Sequence, residues 1–254
     1  MPIKPTSNSW IACPKPNPQA SLRLFCFPYA GGSSLIFRTW ADSLPKNIEV
    51  CPIEYPGRGT QIRSVPFMQL EPLVSEIAPV LLPYLDKPFA FFGHSMGGLI
   101  CFEVARLLRR NYGKNPVHLF ISGRSAPQIS HCDPPIHALS EPEFLEELRL
   151  LNGTPEAVLQ NIELMQLLLP ILRADFAVLE TYTYTNEPPL EFPITAFGGL
   201  QDKEVSAEEL EAWGEQTTSS FELEMFSGDH FFLHSAQSIL LHTIAQKLKM
   251  YLLI

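Results

Sequence analysis

The sequence predicts an α/β fold, one mostly parallel central sheet covered by helices on both faces. Three observations carry that expectation. Short β-prone runs alternate with stretches of helical spacing from residue 21 to the C-terminus. Some runs are apolar at nearly every position, as in Phe89-Ala90-Phe91-Phe92, the pattern of a strand buried on both sides. One such run leads straight through Gly93-His94-Ser95-Met96-Gly97 into a helical stretch. With 254 residues, the chain is long enough to form one such domain, 1–254, with a substantial core.

Residues 10–13 read as a possible edge strand able to form a hairpin with 21–27, which alternates and then becomes wholly apolar. Residues 28–34 form a loop, and a helix capped by Ser33 or Ser34 covers 35–44. A second strand spans 49–55, despite Pro52, and 56–59 is a turn. The helical pattern of 70–85 contains Pro79, so a kink or break is expected there. A strand at 88–92 precedes the pentapeptide, and the helix after it ends at Gly113, a left-handed stop. Residues 117–122 are a further buried strand. Pro134-Pro135 and Pro188-Pro189 then bracket a strand-free stretch with helical patterns at 141–151, 155–159 and 161–184. This is an insertion, about 128–188, between strands of the core. A strand at 193–199, a helix at 206–215, a one-sided strand at 221–226 and a helix at 238–251 complete the order.

Composition narrows the function. No apolar run approaches the ~20 residues of a membrane span, and residues 1–9 lack the apolar segment of a secretory signal. The five cysteines are scattered, with no Cys-x-x-Cys pair, which argues against a disulfide framework or a zinc site and fits a reducing, cytoplasmic setting. Cys26, Cys51 and Cys101 sit in apolar runs and read as core residues. The net charge is −9; eleven acidic and two basic side chains fall within 131–191, and the remainder is neutral. Such a chain is a poor partner for nucleic acid. The acidic block reads as a solvated helical surface.

The pentapeptide fits Gly-x-Ser-x-Gly in its strand-turn-helix setting, a nucleophile elbow of the α/β-hydrolase kind. Its glycines are expected where a side chain would strike the neighbouring strand or helix. Ser95 is then the nucleophile and needs a base, with an acid behind it, in the chain order Ser, acid, His. Seven histidines compete. His94 lies inside the elbow, His118 mid-strand, His131 and His137 before the acid's strand, and His242 within the last helix. His230 directly follows the strand at 221–226, with His234 one helical turn on. His230 is the expected base. Asp202, after the strand at 193–199, is the expected acid; Glu204 is the reserve, and Asp229 and Asp175 are weaker candidates, Asp175 reading as a polar-face helix residue. Two backbone N–H donors should bind the oxyanion, one from Met96 and one from the loop Tyr29-Ala30-Gly31-Gly32.

Taken together, Phe27-Pro28-Tyr29-Ala30-Gly31-Gly32, Tyr55-Pro56-Gly57-Arg58-Gly59, the elbow, Leu172-Arg173-Ala174-Asp175-Phe176 and Gly228-Asp229-His230-Phe231-Phe232 resemble the type II thioesterases that accompany non-ribosomal peptide and polyketide synthases. The family also includes medium-chain thioesterases of fatty acid synthesis. The resemblance implies nucleophile Ser95, acid Asp202, base His230, and oxyanion donors Met96 and Ala30. It implies hydrolysis of acyl or aminoacyl groups from the phosphopantetheine thiol of a carrier protein, that protein being the partner. No cofactor is implied beyond the arm the substrate carries. The insertion would be the family's lid. The alternatives are a medium-chain fatty acyl thioesterase, a carboxylesterase or lipase, and a non-catalytic binding module. Since carriers are generally acidic, docking is expected to rely on apolar contacts or on basic residues near the mouth, such as Arg38, Arg58 or Arg63, whereas Arg106, Arg109, Arg110 and Lys114 are expected to complement a helix dipole.

Overall fold

The computed structural model describes residues 10–129, 134–151 and 153–252. The expectations for residues 1–9 and for His131 and Cys132 lie outside that range.

Six strands, β1 (Leu22–Phe27), β2 (Ile48–Pro52), β3 (Phe89–His94), β4 (His118–Ser122), β5 (Ile194–Gly199) and β6 (Phe221–Phe226), form one sheet in the order β2-β1-β3-β4-β5-β6. Every neighbouring pair is parallel. Period-two alternation sorts the strand side chains between two cores. Phe25, Phe27, Phe89 and Phe91 face the core under α2 (Leu70–Leu81) and α3 (Met96–Tyr112). Leu22, Leu24, Cys26, Ala90 and Phe92 face the core under α1 (Trp40–Ser43) and α9 (Gln237–Leu248). Both faces are covered, which is why the inner strands read as continuous apolar runs.

Some expectations change. Residues 10–13 do not pair with β1. Ile11 forms an antiparallel bridge to Ile53, flanked by Ala12 N–H to Pro52 O and Glu54 N–H to Trp10 O, both 2.9 Å. Pro52 is tolerated in β2 because its backbone polar groups face this outer side, so its missing N–H takes no bond from β1. The helix expected at 35–44 is a 3-10 turn (Ser34–Phe37), with Ser33 as cap, followed by α1. Pro79 does not break α2; the helix runs on to Leu81 and closes in a 3-10 turn, because Leu73, Val74, Ile77, Ala78 and Leu81 keep its face in the core. Gly113 ends α3 with φ 60°, its N–H bonded to Arg109 O at 3.2 Å.

Between β4 and β5 lie α4 (Glu141–Leu150), α5 (Glu156–Leu159) and α6 (Ile162–Glu180). Phe144, Leu148, Leu159, Met165, Leu169 and Leu172 give them a small core of their own. After β5 come α7 (Ala207–Glu211) and, between β6 and α9, α8 (Phe232–Ser235).

Candidate active site

The strand order reverses between β1 and β3, so the connections from these strands leave on opposite faces. That geometry opens a crevice at the strands' carboxyl ends. Ser95 stands in it, between β3 and α3, with φ 51° and ψ −116°. Among the described residues it is the one non-glycine with positive φ. The strain is held by the glycines around it. A Cβ on Gly93 would lie 2.1 Å from Gly97 O, and one on Gly97 would lie 2.0 Å from Phe27 O. Ser95 N–H donates to Ser122 O at 2.7 Å, fastening the elbow to the end of β4.

The residue after Ser122, Gly123, lets two imidazoles come close to its backbone. A Cβ there would lie 3.3 Å from His230 Cε1 and 2.8 Å from His94 Cε1. His230 follows β6, and its Nδ1 is 2.9 Å from Asp202 Oδ2, after β5. The Asp202 side chain is enclosed, while 13% of the His230 side chain is exposed. Asp202 Oδ1 accepts from the Glu204 and Val205 amides at 2.8 and 3.3 Å. One oxygen is therefore held by the backbone, and the other is free to orient the imidazole.

The competing side chains have other roles. Glu204 is exposed and supplies its backbone amide. Asp229 Oδ1 accepts from Phe231 N–H at 2.9 Å, a local turn bond. His234 Nε2 lies 3.0 Å from Tyr29 Oη. His118 Nε2 lies 2.8 Å from Thr195 Oγ1 inside the sheet. His137 pairs with Glu180. His94 is buried beneath His230, with Nδ1 2.9 Å from Ser122 Oγ. Burial, then the neighbouring His230 and His234, push His94 well below its ordinary value, so it is neutral.

Met96 N–H opens α3 and has no intrahelical acceptor. In the loop after β1, Gly32 N–H donates to Tyr29 O at 2.9 Å and Gly31 N–H to Asp175 Oδ2 at 2.7 Å. Among the described residues, Ala30 N–H has no acceptor in the protein. Chemically, the crevice holds a strained serine, an imidazole fixed by a carboxylate, and two unengaged amides at adjacent strand ends.

These features fit a serine hydrolase, and the comparisons with known proteins decide which kind. The family model for the thioesterase domain matches residues 22–248. The chain belongs to the thioesterase family. It is 48% identical over 245 residues to the gramicidin S biosynthesis protein GrsT of Aneurinibacillus migulanus, covering 96% of each chain. Among solved structures it is similar to RedJ, a thioesterase of the prodiginine pathway of Streptomyces coelicolor, at 39% identity and TM-score 0.83, covering 89% and 86% of the two chains. It is also similar to YbtT, a type II thioesterase from the yersiniabactin pathway, at 30% identity and TM-score 0.85, covering 96% and 99%.

For this thioesterase, two sequence expectations need correction. Arg58 is not a surface docking residue, and Asp175 is not a polar-face residue. They are 5% and 3% exposed and form a bidentate ion pair, with both N–O distances 2.7 Å. Burial works against the Arg58 charge, but Asp175 outweighs it and holds the guanidinium above its ordinary value. Sequence reasoning missed the pair because its members are 117 residues apart. Its only trace was the shared resemblance of the Gly57-Arg58-Gly59 and Ala174-Asp175-Phe176 segments. The basic cluster of α3 places Arg109 and Arg110 in the helix's last turn, as expected, and is engaged in ion pairs as well. Arg106, Arg109 and Arg110 all pair with Glu187, where the chain returns from the insertion.

Proposed function

We propose that this chain is a stand-alone editing thioesterase that releases acyl or aminoacyl groups from the phosphopantetheine arm of carrier proteins in non-ribosomal peptide or polyketide synthesis. The observation that carries the reading is the His230 Nδ1–Asp202 Oδ2 contact of 2.9 Å at the same sheet edge as the strained Ser95, in a chain of the thioesterase family. GrsT, RedJ and YbtT, which by name belong to gramicidin S, prodiginine and yersiniabactin biosynthesis, favour carrier editing over fatty acid release or ester hydrolysis.

Ser95 Oγ attacks the thioester carbonyl while His230 takes its proton. Asp202 holds the imidazole in the tautomer with its proton on Nδ1 and stabilises the imidazolium. The amides of Met96 and Ala30 receive the developing oxyanion. The tetrahedral intermediate expels the pantetheine thiol, a good leaving group that asks little of His230 as an acid. His230 then activates water against the Ser95 ester, and the free acid departs. The insertion α4–α6 serves as a lid over this chamber; the direct packing of α6 against the 29–32 loop supports that reading.

The test is a panel of one carrier protein loaded with acetyl, aminoacyl, medium-chain and long-chain groups. Wild type should release short acyl and aminoacyl groups, and Ser95→Ala should release none. Preference for long chains or for simple oxygen esters would favour the alternatives. Unchanged release by Ser95→Ala would overturn the reading.

A further inference from the structure

The loop that carries Ala30 is held by a device outside its own strand. Residues 29–32 form a tight turn, closed by Gly32 N–H to Tyr29 O at 2.9 Å. Gly31 has φ +73°, which at the third position belongs to a turn whose central peptide is flipped relative to the common type I form. The N–H of that central peptide is the one that donates to Asp175 Oδ2. Arg58 binds both oxygens of the same carboxylate, and its Nη1 also donates to Gly32 O at 3.2 Å. One ion pair thus holds a backbone group at each of the two residues following Ala30. Asp175 itself stands on α6, and a Cβ on Gly31 would lie 2.6 Å from Leu172 of that helix, so α6 sits directly on the turn.

A buried ion pair is a weak device for stability, because desolvation offsets the attraction and an apolar pair of the same size often does as well. Fixing the direction of two peptide groups is something an apolar pair could not do. We propose that Asp175 and Arg58 are positioning residues of the oxyanion hole. By anchoring Gly31 N–H and Gly32 O they fix the 29–32 turn as a body, and with it the placement of Ala30, whose N–H lies on the preceding 29–30 peptide and is left for the substrate carbonyl. Because Asp175 belongs to the insertion, the hole is complete only while α6 is seated on the core. This rests on the reading that Ala30 binds the oxyanion.

The experiment compares wild type, Asp175→Ala, Asp175→Asn, Arg58→Lys and Ser95→Ala on one acyl-pantetheine thioester. It also measures affinity for two analogues: a trifluoromethyl ketone, whose adduct places an oxyanion in the hole, and the matching unreactive thioether. Asp175→Ala should lower kcat about a hundredfold, the scale of losing one oxyanion donor, with KM within threefold. Ketone affinity should fall in parallel and thioether affinity should hold. Asp175→Asn and Arg58→Lys should lie between. If Asp175→Ala does not fold, the isosteric Asp175→Asn decides by the same two analogues. Equal loss of both affinities, or unchanged kcat, would overturn the clamp. Activity surviving in Ser95→Ala would instead overturn the parent reading, whatever the clamp variants do.

Cys13 and Cys51 carry a separate inference. The bonds flanking the Ile11–Ile53 bridge make it a non-hydrogen-bonded antiparallel pair, so 13 and 51 are the next such pair, where side chains approach most closely. Their sulfurs lie 3.4 Å apart, Cys13 half-buried and Cys51 buried. We infer that the two form a disulfide on exposure to a hydroperoxide. The Cys13 thiolate takes the outer peroxide oxygen as a sulfenic acid, releasing an alcohol or water. The Cys51 sulfur then closes the bond and expels water. Peroxide treatment followed by alkylation and peptide mapping should give a linked pair of peptides two hydrogens lighter, absent in Cys13→Ser. Both thiols remaining alkylatable, or Cys13 running on to sulfinic acid without a link, would overturn it.

Discussion

Asp202 has its two oxygens divided between two tasks: the Glu204 and Val205 amides hold Oδ1, and Oδ2 meets His230. Asp202→Asn keeps the shape and loses the tautomer control, so kcat should fall by roughly 10³ to 10⁴ with little change in Tm, checked by steady-state kinetics and thermal melts. His118 shows how a histidine can serve the fold alone. It stacks on Phe120 and bonds Thr195, and burial pushes it from 6.5 down to about 4. Between those values the unfolded chain binds a proton that the folded chain refuses, so stability is full above about pH 6.5 and falls as pH drops toward 4. The loss at the bottom of that window is about 3 kcal/mol. Denaturant titrations of His118→Gln from pH 7 to 4 should show a flatter acid limb than wild type.

At the scale of elements, the elbow depends on backbone meeting backbone. Gly97 touches the carbonyl of Phe27, which cannot rotate away as a side chain would, so Gly97→Ala should cost about 3 kcal/mol or more, measured by urea unfolding. On α3, Glu103 receives Arg106 Nη1 and Tyr182 Oη, both at 2.7 Å, and joins the helix to the end of the insertion. Glu103→Ala leaves Arg106 with Glu187 as its remaining carboxylate and removes the acceptor of Tyr182 Oη, and should cost about 1–3 kcal/mol, measured by urea unfolding. Asp42→Ala, which removes the exposed partner of Lys15, should change stability by less than about 1 kcal/mol. Elements whose period matched their burial were legible from sequence: β1, β3, β4, β5, α2 and α3 all form close to their expected ranges. Residues 10–13 were misassigned because a short apolar run says that it will pair and not with which edge. Pro52 and Pro79 looked disruptive because a residue's propensity does not show which way its backbone faces or how well its helix is packed.

Across the whole molecule, charge is distributed by segment. The net −9 matches the balance of 131–191, so any face offered to an acidic carrier protein must come from elsewhere. Arg38 and Arg63 are exposed, whereas Arg58 is buried in its pair with Asp175. Arg38→Glu with Arg63→Glu should raise KM for an acyl-carrier several-fold, with the gap narrowing at high salt, and leave KM for a free acyl-pantetheine unchanged. Kinetics on the two substrates side by side check this.

Sequence alone determined the alternation of strand and helix, the elbow, and the placing of Ser95, Asp202 and His230 after successive strands. Each of these is a local pattern or a position immediately after a strand, and parallel strands bring all such positions to one sheet edge. Only the tertiary structure decided that Asp175 and Arg58 pair with each other against the 29–32 turn, and that among the described residues Ala30 N–H has no acceptor in the protein. It also decided that Glu187 gathers three arginines and that Cys51 faces Cys13. Those relations join residues tens of positions apart through side-chain direction and burial, which no spacing in the chain encodes.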